Sequence, residues 1–140
     1  MRKMFTKLAL SMLLVGTMLT SCTFQEVADV TITYEVVAET AERPFTVWYT
    51  NEMGGENVER NIAETVYKTS FAIPSDQIKS YYDLDVTCWA LYEPVYQKLT
   101  LTIYEEGKVV ARKETGGTSD IYLTSVRAEL PTQIVYKDKE

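Results

Sequence analysis

The stretch Leu99-Thr-Leu-Thr-Ile-Tyr-Glu-Glu-Gly-Lys-Val-Val-Ala-Arg112 decides the fold class. Leu99, Leu101 and Ile103 alternate with Thr100 and Thr102, a period of two that turns one row of side chains to a core and the other to solvent. Tyr104-Glu-Glu-Gly-Lys108 interrupts the alternation, and Gly107 supplies the left-handed residue that a short hairpin loop requires. Val109 to Arg112 resumes an extended pattern. Strand, tight turn and strand make a β-hairpin.

The same period recurs on both sides of this hairpin. Val30, Ile32, Tyr34, Val36 and Ala38 alternate with Thr31, Thr33, Glu35, Val37 and Glu39. After Arg43-Pro44, Phe45, Val47 and Tyr49 share one strand face, with Trp48 and two threonines on the other. Asn51 to Asn57 is a turn in which Gly54-Gly55 provides positive φ at no steric cost. Val58 to Ile73 reads as a strand with an irregularity, closed by Pro74-Ser75-Asp76, with a short helix over Asn61 to Tyr67 as the other reading. Tyr81 to Tyr92 is apolar on parts of both faces, which suits a central strand. Gly116-Gly117 turns into Ile121 to Leu130, and Pro131 ends that run.

About seven strands, with turn signals roughly every 8 to 12 residues, predict an all-β protein: a single immunoglobulin-like β-sandwich of antiparallel strands. It should occupy residues 30–130, with a tail over 131–140.

The N-terminus is of another kind. Arg2, Lys3 and Lys7, with no acid among the first seven residues, precede an apolar run from Leu8 to Leu19. A membrane-spanning helix needs about 20 apolar residues, so this shorter run reads as a cleaved signal, residues 1–21. The run ends in Leu19-Thr20-Ser21-Cys22, which resembles the bacterial lipobox. That resemblance implies diacylglyceryl transfer to the Cys22 thiol and cleavage just before it, with residues 22–29 as a tether. Two or three acyl chains hold far more firmly than one, at about 0.8 kcal/mol per buried methylene. The expectation is a bacterial envelope protein bound to the membrane by its lipid. Thr23, rather than aspartate, follows the cysteine, which points to the outer membrane.

Beyond residue 21 the chain holds 11 basic and 20 acidic residues, a formal charge of −9. Such a balance argues against nucleic acid, whose phosphates need clustered Lys and Arg. There is no histidine, which removes the commonest general base and zinc ligand and every Ser-His-Asp or Cys-His triad. With Cys22 lipidated, Cys88 has no disulfide partner within the chain, so stability must come from an apolar core.

Few residues stand out as chemical candidates. Cys88 lies among apolar same-face neighbours with no base beside it, the setting of a buried small hydrophobe. Asp83 and Asp85 share a strand face, but calcium takes six to eight oxygens and no EF-hand spacing surrounds them. Trp48, Trp89, Tyr81, Tyr82, Tyr92 and Tyr96 are available for an aromatic sugar platform or for filling and rimming the core. Tyr92 and Tyr96, which flank Glu93-Pro94, are the pair expected to be exposed and to touch a ligand.

Thr33-Tyr-Glu-Val36, Tyr49-Thr50 with Gly54-Gly55, Tyr67-Lys-Thr-Ser-Phe71, and Leu101-Thr-Ile103 with Glu106-Gly-Lys-Val-Val110 together resemble the mycobacterial membrane protein small (MmpS) group of accessory proteins over most of residues 30–126. The resemblance implies an immunoglobulin-like sandwich in the envelope and, in the mycobacterial members, assistance to lipid and siderophore exporters. This chain has a lipobox where that pattern has a membrane helix, and Leu101 and Ser125 near the positions of its paired cysteines. The expected function is a non-catalytic, lipid-anchored domain that binds an envelope protein and needs no cofactor or metal. A glycan- or lipid-binding module using exposed tyrosines, or a transport accessory, are the alternatives.

Overall fold

Ten residues of alternating apolar and polar character form β1 (Asp29–Ala38), and the apolar set Val30, Ile32, Tyr34, Val36 and Ala38 is buried. A computed structural model describes residues 24–90, 93–94, 97–115, 123–131 and 133–139. The remaining strands are β2 (Phe45–Thr50), β3 (Glu56–Ile62), β4 (Val66–Pro74), β5 (Tyr81–Ala90), a two-residue β6 (Glu93–Pro94), β7 (Leu99–Glu105), β8 (Lys108–Glu114) and β9 (Leu123–Glu129). One sheet runs β4-β1-β7-β8; the other runs β3-β2-β5, with β9 along the free side of β5 and β6 at its end. All pairings are antiparallel. The chain is thus the all-β sandwich that its turn spacing predicts, with eight full strands among the described residues rather than about seven.

The extra strand comes from the region read as one irregular strand, Val58 to Ile73. It is two strands in opposite sheets, β3 and β4, joined by Ala63-Glu64-Thr65. The helix considered over Asn61 to Tyr67 is not formed. Asn61 takes a left-handed φ of 55°, a conformation asparagine tolerates better than most residues, and the crossover to the other sheet follows at once.

The hairpin stands where it was expected. β7 and β8 meet through Glu106 and Gly107, both with positive φ, 50° and 75°, the signature of a type I′ turn. Glu106 is held there by β1: its N–H donates to the Thr31 carbonyl at 2.9 Å, and the Thr31 N–H donates to its Oε1 at 2.6 Å. In the Asn51 turn the positive φ belongs to Gly54, at 81°. Asn51 Oδ1 accepts from the N–H groups of Met53 and Gly55 at 3.0 and 2.9 Å.

The core lies between the sheets. Ile32, Tyr34, Val36, Val47, Leu84, Val86, Leu101 and Ile103 are essentially inaccessible, and each aliphatic side chain among them contributes about 1.5–3 kcal/mol by burial. Tyr34 spans the core, and its hydroxyl donates to the Thr50 carbonyl at 2.6 Å, so one side chain ties β1 to the end of β2 in the other sheet. Its ring lies 5.1 Å from Tyr49 and 6.1 Å from Phe71. Burial pushes its phenol far above the ordinary range, with smaller contributions from Tyr82, Asp83 and Tyr49.

The sandwich unit runs from Val27 to Val135, past the boundary that Pro131 suggests. Buried Ser75 explains the extension: its hydroxyl donates to the Val135 carbonyl and accepts from the Val135 N–H, both at 2.8 Å, while the Ala28 N–H donates to the same carbonyl at 2.7 Å. Among the described residues, Phe24 to Glu26 and Tyr136 to Lys139 belong to a second unit. Within it, Lys137 Nζ meets Glu26 Oε2 at 2.8 Å, and this bond holds the Glu26 carboxyl below its usual range. No helix among the described residues is long and apolar enough to cross a membrane.

Candidate functional site

An open sandwich has edge strands, and each exposes unpaired backbone groups unless something guards it. In β1 and β4 the Ala38 N–H donates to the Thr65 carbonyl at one end of the pairing, and the Ser75 N–H donates to the Ala28 carbonyl at the other. Antiparallel ladder bonds recur at every second residue, so the odd-numbered residues of β4 bond to β1. The N–H and C=O groups of Val66, Lys68, Ser70 and Ala72 therefore point away from the sheet. Among the described residues no strand pairs with that side.

The other edges are guarded. On β8 the register shifts between Ile103 and Tyr104, leaving Val110 as the extra residue of a bulge, and Lys108, Arg112 and Lys113 add charge. A bulge and basic side chains are both known means of blunting an edge. β3 carries Glu56, Glu59 and Arg60 on an almost wholly exposed strand, and its pairing with β2 shifts register between Phe45 and Val47. β9 approaches β8, closing that side of the sandwich. By contrast β4 pairs with β1 in one unbroken register from Val37–Val66 to Asp29–Pro74. It carries Lys68 as its single charge.

The side chains beneath this edge are aromatic. Tyr67 and Phe71 are half-buried and pack on the core, and the Phe71 ring lies 6.1 Å from both Tyr34 and Tyr82. The Tyr67 hydroxyl is shut off from solvent without a hydrogen-bond partner of good geometry, and burial, before its neighbours Tyr49 and Glu59, raises its phenol above the usual range. On the outer face, Lys68 Nζ sits 3.8 Å from Glu35 Oε2 and 5.7 Å from the Tyr104 ring centre. That lysine is well exposed.

The residues singled out in the sequence fall in different places. Leu19, Thr20, Ser21 and Cys22 lie outside the described residues, as do Tyr92 and Tyr96. Cys88 is buried, its Sγ 3.7 Å from Gln97 Nε2; burial pushes the thiol up and the Gln97 bond only partly offsets this. That is the environment of an inert core cysteine. Asp83 is engaged by Arg127, whose Nε and Nη2 donate to the two carboxylate oxygens at 2.6 and 2.9 Å, while the guanidinium lies 5.0 Å over the Tyr81 ring. Asp83 and Asp85 are thus not brought together with a third ligand: no group of three or more Cys, Asp or Glu that could hold a metal occurs among the described residues. Tyr82 is wholly buried, Tyr81 is half-exposed, and Trp48 lies partly exposed on the outer face of its sheet. Trp89 pairs through its backbone with Pro94.

The four outward backbone positions of β4 carry no side-chain signal in the sequence. Only the pairing pattern places them together at an edge. No protein-family model matches the chain, and no curated protein matches it with significance.

Proposed function

We propose that this protein is a lipid-anchored envelope domain that binds a protein partner by strand addition to β4. The observation that carries the proposal is the contrast between β4, regular over nine residues, and the bulged or charged edges elsewhere. In strand addition the backbone of an extended segment supplies affinity, and alternate side-chain positions supply specificity. Four outward residues from Val66 to Ala72 give a ladder of useful length, and Pro74, which lacks an N–H, ends it. With an excess of acid over base beyond residue 21, a second copy of the chain is a poorer occupant than a neutral or basic segment of another protein.

The anchor has its own test. Replacing Cys22 by alanine abolishes labelling with an alkyne-tagged palmitate and releases the protein from the membrane fraction; unchanged labelling would overturn the lipobox reading. For the partner, lysine-directed cross-linking in intact cells followed by detergent extraction and mass spectrometry should return a reproducible envelope protein linked through Lys68. The link should vanish in Ala72→Pro, which removes one outward N–H. Self-links alone, or links that survive that substitution, would overturn strand addition at β4. Should the linked protein be an exporter, the transport-accessory role implied by the MmpS-like resemblance follows.

A further inference from the structure

The outer face of the β3-β2-β5-β9 sheet holds a second feature, separate from the β4 edge. Trp48 lies opposite Asp85, and Asp85 opposite Ser125; Thr87 and Leu123 form the next pair along, and Glu56 closes the far side opposite Thr50. Trp48, Glu56, Asp85, Thr87, Leu123 and Ser125 line an open hollow of about 510 Å³. Neither carboxylate has an ion-pair partner among the described residues. Among the described residues no lysine or arginine lines the hollow.

Each feature limits what fits there. An indole face and the exposed Leu123 call for a ligand with an apolar side. Two unpaired carboxylates and two hydroxyls offer many more acceptors than donors, so the same ligand must also be rich in hydrogen-bond donors. The volume is that of a small-molecule site, far larger than one guanidinium or ammonium group, and its polar groups are spread over all four strands rather than gathered around a point. Pyranoses join these properties: a C–H face that stacks on an aromatic ring and a rim of hydroxyls.

We propose that this hollow is a carbohydrate-binding subsite. Trp48 stacks on the sugar ring, Asp85 and Glu56 accept hydrogen bonds from its hydroxyls, and Thr87 and Ser125 complete the rim. The site is non-catalytic in this reading and does not depend on β4.

Affinity gel electrophoresis of the detergent-extracted full chain tests it, with gels containing soluble β-glucan, mannan, xylan or galactan, and arginine amide as a competitor in solution. At least one polysaccharide should retard the wild type. Trp48→Ala should abolish the retardation, and Asp85→Asn should weaken it by at least about tenfold, as loss of a charged acceptor implies. Thermal melts of both variants within a few degrees of wild type would show that the sheet is intact; Trp48→Phe, which keeps a stacking face, should bind with intermediate strength and covers the case in which alanine perturbs the fold. Retardation by none of the polysaccharides, retardation that persists in Trp48→Ala, or displacement by arginine amide at concentrations where free glucose or galactose has no effect would each overturn the proposal, the last by showing a cation site.

Discussion

Phe71→Pro should unfold the domain under conditions in which Ala72→Pro, one residue further along, leaves it folded. The N–H of residue 71 faces β1, opposite Ile32, so proline there removes a ladder bond and the half-buried ring packed against Tyr34 and Tyr82. The combined cost is about 6 kcal/mol or more, enough to unfold a domain near the lower end of the usual range of about 5–15 kcal/mol. The N–H of residue 72 faces outward, the position at which an edge strand tolerates proline, and its loss should change stability by about 1 kcal/mol or less. Urea denaturation followed by tryptophan fluorescence measures both. Equal destabilisation by the two substitutions would mean that residue 72 takes part in the ladder, and the edge assignment would be wrong.

Tyr34→Ala should be nearly as damaging for a different reason. It removes a wholly buried ring from the centre of the aromatic cluster and the bond that links the sheets, a loss of about 4–5 kcal/mol. Tyr34→Phe keeps the ring against Tyr49 and Phe71 and loses only the hydrogen bond to the Thr50 carbonyl, about 1–2 kcal/mol. The pair also predicts a pH dependence. Burial raises the folded-state pKa of Tyr34 above its ordinary value of 10.0, so the neutral phenol is preserved in the fold while the unfolded chain ionises. Stability is therefore complete below about pH 10 and falls as the pH rises beyond it. Tyr67, raised in the same direction, adds to the fall. In Tyr34→Phe the alkaline loss should be shallower than in wild type, measured by urea midpoints across pH 8 to about 11. Parallel curves for the two proteins would show that Tyr34 ionises freely in the fold.

The strands that could be read directly were those with one face buried and one exposed. In Val30 to Ala38 and Leu99 to Ile103 the period of two is a record of that asymmetry, and both strands lie inside their sheet. β3 escaped because nearly all its side chains are exposed, so no apolar alternation marks where it stops and β4 begins. At the hairpin, Gly107 announced the turn, but the positive φ of Glu106 depends on Thr31, 75 residues away, and has no local signature. The candidate site was hidden for a related reason. Whether a strand is central or at an edge is set by partners far off in the chain, so Val66 to Pro74 looks like any other strand until β1 is seen on one side of it. The anchor at Cys22 and the tyrosines Tyr92 and Tyr96 rest on sequence alone, whereas the hollow at Trp48 needed the register of four strands to assemble.

Strand addition has one consequence that no other mode of docking shares: a change in every second amide. Amide hydrogen exchange of the full chain, read residue by residue, measures it. In the free protein the N–H groups of Tyr67, Thr69 and Phe71 should exchange slowly and those of Val66, Lys68, Ser70 and Ala72 quickly. In the complex isolated through Lys68 cross-linking, the four even-numbered amides should slow by about 100-fold or more, as ladder amides that exchange only by opening do. Even-numbered amides that remain fast in the complex, or protection that appears instead along β8 or β3, would contradict the account.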